Sequence, residues 1–371
     1  MNRQGLMWLA IVAVLAISAA IFISGRRNAV PESAGMQLFP ALAGQINSVN
    51  QVTVLKGSPT ALLTLQKQGQ QWTVAERANY PADVPKLRQL LQSLADAKIL
   101  EEKTSNPASY AVIGVEDPLK PGAGGAEVQV SAADGKHAVI VGKSAPNGNF
   151  VRRAGEEKSY SVSPGISVDV EPRYWIDTKL LDLPVADIQK VDMKLASGGA
   201  YSIHRAAPRA PAPAPVASAA SAASAAGAAP AAVPPPPADF VLDAVPAGRQ
   251  ASDPQTLSPS PTTYSNLSAD DVAQAADIDF SKPSVATVAL SSGKIVTLTG
   301  TVVGDKHWIT LASTQDAALN ARAAGRAYEI SNFRYDAIFR PVEQLLVPKA
   351  APEAKKTAPS KQPHAQSSPK P

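Results

Sequence analysis

The stretch Ser131-Ala-Ala-Asp-Gly-Lys-His-Ala-Val-Ile-Val-Gly142 returns, altered, as Leu290-Ser-Ser-Gly-Lys-Ile-Val-Thr-Leu-Thr-Gly300. In each copy a Gly-Lys turn sits beside a short β-branched run, the pattern of an antiparallel hairpin. Gly142 follows Gly135-Lys136 as Gly300 follows Gly293-Lys294. Working outward, Phe150-Val151 matches Trp308-Ile309, and Tyr160-Ser-Val-Ser163 matches Tyr328-Glu-Ile-Ser331. Upstream, Ile46 to Leu55 resembles Ile188 to Leu195. The spacing between copies widens across a Pro/Ala-rich insert. It narrows where the Thr104 to Gly125 loop has only a short counterpart. A duplication with two insertions or deletions accounts for both changes.

The fold class expected from this pattern is α+β, with two similar lobes of antiparallel sheet, each with a packed helix. The first lobe is placed at residues 45–183 and the second at 184–347. In the first, a strand meander runs from Ile46 through Ala61–Gln66 to Trp72–Val74. Asp83 is positioned to cap a helix and Pro85 is tolerated in its first turn. Leu87, Leu90, Leu91 and Leu94 then fall on one helical face. Strands follow at Ala126–Ser131, His137–Val141, Phe150–Arg153 and Ser159–Val162, with a short helix over Pro164–Trp175. The helix of the second lobe is expected after Ser268, where Ser268-Ala-Asp-Asp271 has the form of a capping box.

Three segments stand outside the lobes. Residues 6–23 carry no charge, and 18 residues at a rise of about 1.5 Å span roughly 27 Å, close to the hydrocarbon thickness of a bilayer. Residues 1–27 are therefore read as an N-terminal transmembrane helix with its flanks, and residues 28–44 as a linker. Ser18-Ala-Ala20 could serve as a signal-peptide cleavage site, but the apolar run continues through Ile21-Phe-Ile23, which favours a retained anchor. Residues 206–239 combine regular prolines with alanine and serine and hold no bulky apolar side chain, so a disordered insert is expected there. Residues 348–371 read as a disordered basic tail.

Composition narrows the chemistry. The formal net charge is +4, and Lys349, Lys355, Lys356, Lys361 and Lys370 against Glu353 account for the whole excess. No basic face is left for nucleic acid. The chain has 0 cysteines, which excludes thiol chemistry, disulfides and an acylated-cysteine anchor. The histidines, His137, His204, His307 and His364, have no second ligand at metal spacing. Glu101-Glu102 and Asp270-Asp271 are sequence neighbours that point apart on a strand or helix, and the second pair is expected at a helix N-terminus. Asp277 and Asp279 lack the glycine and distal glutamate of a calcium loop. Gly122-Ala-Gly-Gly125 and Ser292-Gly-Lys294 lack phosphate-loop context and read as connections. Arg152, Arg153 and Arg173 read as solvated strand ends, and Trp72, Trp175 and Trp308 as core anchors. No catalytic, cofactor-binding or metal residue is expected, and the chain is read as a non-enzyme.

The anchor, the meander ending near Trp72 and the Leu87-Arg-Gln-Leu-Leu-Gln-Ser-Leu94 helix together resemble a bacterial family known as domain of unknown function 4340. Tyr110, Gly114-Val-Glu-Asp-Pro118, Val139–Gly142, Phe150–Arg153, Tyr160–Val162, Trp175–Asp177 and Leu180-Leu181 extend the resemblance over roughly residues 40–345. Members often accompany components of an ABC-type export system similar to the gliding-motility type. The resemblance implies a membrane-anchored, extracytoplasmic accessory or scaffold protein whose partners are ABC transporter components. It also favours a single-pass protein of the bacterial inner membrane, with a cytoplasmic N-terminus and a periplasmic bulk. Membrane lipid would be met through residues 6–23. The alternative is an envelope lipid- or glycan-binding module using a groove between the two lobes. The long Pro/Ala insert departs from the family pattern.

Overall fold

The computed structural model describes residues 34–206, 240–259 and 263–348. The protein is sheet-rich α+β, and its two large sheets are antiparallel. The first is built from β1 (Gln51–Leu55), β2 (Leu63–Gln68), β3 (Gln71–Val74), β4 (Tyr80–Pro81), β5 (Lys98–Glu102), β6 (Ala126–Ala132), β7 (Gly135–Ala145), β8 (Gly148–Arg153) and β9 (Ser159–Ser163). Its spatial order is β4-β3-β2-β1-β6-β7-β8-β9-β5. Three helices accompany it: α1 (Pro40–Ala43), α2 (Val84–Asp96) and α3 (Tyr110–Ile113).

The chain then crosses through β10 (Lys179–Leu181) to β11 (Ile188–Lys194), β12 (Ala200–Arg205), β13 (Phe240–Leu242) and β14 (Arg249–Ala251). It continues through α4 (Pro254–Leu257), β15 (Leu267–Ser268), β16 (Asp271–Gln274), β17 (Ser284–Leu290), β18 (Ile295–Val303) and β19 (Lys306–Ser313). It finishes with α5 (Ala317–Ala323), β20 (Arg326–Ile330), α6 (Asn332–Ile338) and β21 (Leu346–Pro348). The second sheet runs β13-β12-β11-β17-β18-β19-β20-β16, the order of the first sheet without a partner for β4. The registers agree in detail: Val151 faces Tyr160 in the first sheet as Ile309 faces Tyr328 in the second.

Local chemistry explains most elements. Asp83 caps α2, its carboxylate accepting from the Lys86 amide at 3.2 Å. Leu87, Leu90, Leu91 and Leu94 are all buried. Strands β1 and β2 alternate, burying Val52, Val54, Leu63 and Leu65 while Thr53 and Thr64 face outward. Asp316 caps α5 by accepting from the Leu319 amide at 2.9 Å. The Pro/Ala insert interrupts an edge hairpin, since Arg205 at its start pairs with Phe240 at its end. The insert's residues from 207 to 239, like the apolar run 6–23 and the tail from 349, lie outside the described residues. Among those described, no helix is long and apolar enough to cross a membrane.

Four expectations are corrected. Residues after Ser268 form β16, not a helix. Val272 is buried between flanking half-buried residues, and the segment pairs with β20, so cross-strand packing decides the conformation of a run too short to commit itself. The second lobe's helices instead follow β14, β19 and β20. Residues Pro164–Trp175 are mostly extended, with one 3₁₀ turn at Pro172–Trp175. Asn149 holds the Ile166 amide at 2.8 Å, and Pro172 disfavours helix in the residue before it. The span 28–44 is not all linker, because Leu38 and Leu42 are fully buried and residues 35–38 bond along β5. Finally, the glycine run at 122–125 is no loose connection: a Cβ on Gly125 would lie 2.2 Å from the Gly114 carbonyl oxygen. The backbone passes too close there for any side chain.

Candidate functional site

No reactive constellation gathers the residues singled out from the sequence. His137 Nε2 meets the Asp134 carboxylate at 3.1 Å, and its ring lies edge-on to Phe39. His307 packs against Tyr335 with ring centroids 4.9 Å apart. His364 lies outside the described residues. Glu101 pairs with Lys103 and Glu102 with Lys158, so the neighbouring carboxylates serve different cations. Asp279 accepts from the Ser281 amide at 2.8 Å in a local turn. Among the described residues, no three of His, Asp and Glu converge on a metal position.

Arg152 and Arg153 are not solvated strand ends, whereas Arg173 is exposed on the 3₁₀ turn at Pro172–Trp175. Arg152 donates to the Val115 carbonyl at 2.8 Å and lies over the Tyr110 ring. Arg153 donates to the Leu38 carbonyl at 3.0 and 2.8 Å, tying the segment before α1 to β8. Trp175 and Trp308 are buried, and Trp175 Nε1 donates to the Asp169 carbonyl at 2.9 Å. Trp72 is half-buried against the core.

What the topology does bring together is the junction of the two lobes. Tyr80 of the first lobe and Tyr328 of the second are both fully buried, edge to face, with centroids 5.6 Å apart. Burial pushes both hydroxyls above the usual tyrosine range. Arg326 crosses from the second lobe to donate to the Ala78 carbonyl at 3.0 Å and to the Asn79 carbonyl at 3.3 Å. Arg77 crosses the other way, its Nε bonded to Asp271 in a short ion pair. Asp270 beside it is raised by burial and by Glu329, with Arg173 opposing. The connecting chain is stitched to both bodies: Ile176 bridges to Ala82, while β10 pairs with β15. One continuous cluster of buried side chains includes Val52, Leu94 and Trp175 together with Val191, Leu298 and Ile338.

A second concentration of charge lies on one face of β11 and β12, beside the edge strand β13. Lys190 meets Asp192 at 2.7 Å, Ser202 donates to the same carboxylate in a short bond, and His204 Nδ1 lies 2.6 Å from Asp243. Burial pulls the Asp192 carboxyl upward, but Lys190 and Ser202 outweigh it and leave the group below its usual range. The Lys190 hydrogen bond to Asp192 raises the amine. Each group is already satisfied by its neighbour. Ser202 is engaged by Asp192 rather than by His204, so no Ser–His pair forms here and this face reads as a polar contact surface.

Residues 72–234 match the model of a family described as Domain of unknown function (DUF4340). That stretch of the chain belongs to the family. The match begins in β3, takes in β4, α2, β5–β9 and the start of the second sheet, and leaves out β1 and β2, a narrower span than the 40–345 over which the residue pattern is read. No curated protein and no solved structure matches the chain.

Proposed function

We propose that this is a membrane-anchored extracytoplasmic scaffold that works by contacting other envelope proteins, an ABC-type transport complex foremost, and not by catalysis. In this reading residues 6–23 dwell in the bacterial inner membrane, the N-terminus is cytoplasmic, and residues 34–348 stand in the periplasm. The observation that carries it is the junction: buried Tyr80 and Tyr328 and the reciprocal Arg77 and Arg326 crossings weld two similar sheets into one body. A rigid body with two like faces, tethered at one end, presents surfaces at a fixed height above a bilayer. The family resemblance supplies the class of partner.

The alternative, a lipid or glycan held between the lobes, has less support. The boundary where such a groove would lie is filled by the tyrosine pair and by Arg326. The test is co-purification of the full chain in mild detergent, compared with a chain lacking residues 1–27. Enrichment of transporter subunits that depends on the anchor is expected. Recovery of the full chain alone overturns the reading.

A further inference from the structure

The chain enters the fold along the outer edge of β5. The Gly35 amide donates to the Ile99 carbonyl at 2.7 Å, the Ile99 amide to the Met36 carbonyl at 2.8 Å and the Leu38 amide to the Ala97 carbonyl at 2.7 Å, with Gln37 opposite Lys98. Residues 35–38 therefore run antiparallel to β5, and the chain before them arrives from the side of Glu102. Residues 24–33 are all that separates the apolar run 6–23 from Ala34, the first described residue. Fully extended, that connection reaches at most about 40 Å. With residues 6–23 in a bilayer, the outer edge of β5 is the point at which the body is tethered.

Exposed apolar side chains gather at that edge. Met36 is 58% exposed and Leu100 41%, the latter at the break in register between β5 and β9. Val112, 70% exposed, stands on α3. That helix is fastened beside the end of β5. The Tyr110 hydroxyl bonds to the carbonyl of Glu157, in the turn before β9, and lies 3.3 Å from that of Ser105, just past β5. Tyr110 and Ile113 pack with Val115, Ile140 and Phe150, and Val112 faces away from that cluster. Among the exposed large apolar side chains of the described residues, only Phe333 in the second lobe, at 73%, is more open than Val112 or Met36. The ions around the edge are paired, Glu101 with Lys103 and Glu102 with Lys158, while Lys143 donates to the Val112 carbonyl at 2.8 Å. Single exposed apolar side chains are ordinary in water. At the foot of a membrane tether, however, a second solvent is within reach. Lysines with long apolar stems suit its headgroup layer, and bare Met, Leu and Val suit the acyl boundary beneath. A protein partner is free to meet any face of the body, whereas the lipid surface is presented first to the tethered edge.

We propose that Met36, Leu100 and Val112 form a lipid-contact surface that seats the first lobe on the bilayer and holds the second lobe away from it. The proposal rests on the retained anchor and adds which face of the body meets the membrane. The chain has 0 cysteines, so Met36→Cys, Leu100→Cys and Val112→Cys each give the full chain a unique site for a nitroxide label. Val303→Cys and Phe333→Cys, at positions of the second lobe that are 42% and 73% exposed, are the controls. Each is reconstituted in vesicles of phosphatidylcholine with phosphatidylglycerol, after circular dichroism and thermal melting show that it folds. Three separate sites keep the test alive if one variant does not. Labels at 36, 100 and 112 should be relaxed several-fold more by oxygen, which concentrates in lipid, and less by a water-soluble nickel chelate, than labels at 303 and 333. Their expected depth is about 5–10 Å into the headgroup and acyl boundary. An equal response at all five positions, lipid exposure confined to 303 and 333, or shielding of 36, 100 and 112 from both reagents, as a protein contact would give, overturns the surface and leaves the anchor in place. A full chain that does not float with the vesicles overturns both.

Discussion

Replacing Tyr80 with alanine should loosen both sheets at once. The ring is fully buried, packs edge to face on Tyr328 with centroids 5.6 Å apart, and lies 5.8 Å from the Arg326 guanidinium. Truncating a buried aromatic costs about 3–5 kcal/mol. Within that, an edge-to-face pair contributes about 0.5–1.5 kcal/mol beyond its area. We expect a loss of about 4 kcal/mol, close to a thousandfold in the folding equilibrium. Hydrogen exchange of the full chain in detergent, read across a urea series, would follow Val139 in β7 and Leu298 in β18, one buried strand position from each lobe. Because the core is continuous, both amides should exchange faster by similar factors. Adding Tyr328→Ala should cost about 1 kcal/mol less than the sum of the single changes, since the two rings share a contact. Faster exchange in β7 with β18 untouched, together with additive single and double variants, would show two independent lobes and refute the reasoning.

Three further outcomes follow from local geometry. Asp83→Ala removes the carboxylate that caps α2 and should cost about 1 kcal/mol in urea unfolding. Gly300→Ala places a Cβ 2.3 Å from the Phe339 ring and should cost about 1–3 kcal/mol by overpacking, whereas Gly44→Ala, with nothing within 4 Å of its added Cβ, should be near neutral in the same unfolding assay. The Asp316 carboxyl is held below its usual range by the Lys294 ion pair and the Leu319 amide. Its contribution is therefore complete above the unfolded value of about 3.9 and disappears as pH falls through the folded value. Acid unfolding of Asp316→Asn should be less steep than wild type below about pH 4.

The parts of the fold legible in the sequence are those whose signal is local. Leucines at 87, 90, 91 and 94 placed α2, and Asp83 its start, because helical period and cap chemistry both fit within four turns. Glycine turns at 135 and 293 placed the central hairpins of both sheets, and the pairing of Tyr160 with Tyr328 lies at matching register positions. The misreading at Ser268 has a physical cause. Its capping-box pattern is real as a pattern, but Asp271 is drawn to Arg77, 194 residues away, and no local rule contains that partner. The segment from Met36 to Leu42 carries no such local signal, because a single turn of helix beside two core leucines has too little period to stand out. The junction was invisible for the same reason. It is made by residues from strand ends and turns that become neighbours only when the sheets close. Gly142 and Gly300 were visible as repeat markers, and their use became clear only when each was found beneath close-packed neighbours, the turn after α3 in one case and the rings of Tyr335 and Phe339 in the other.

The most direct measurement is the native mass of the complex extracted from the protein's own membranes in mild detergent. The scaffold account predicts an assembly heavier than one 38.5 kDa chain, containing subunits of an ABC-type transporter and dissociating when residues 1–27 are removed. A single chain in its micelle, with no second polypeptide at any detergent concentration that preserves the fold, would contradict it.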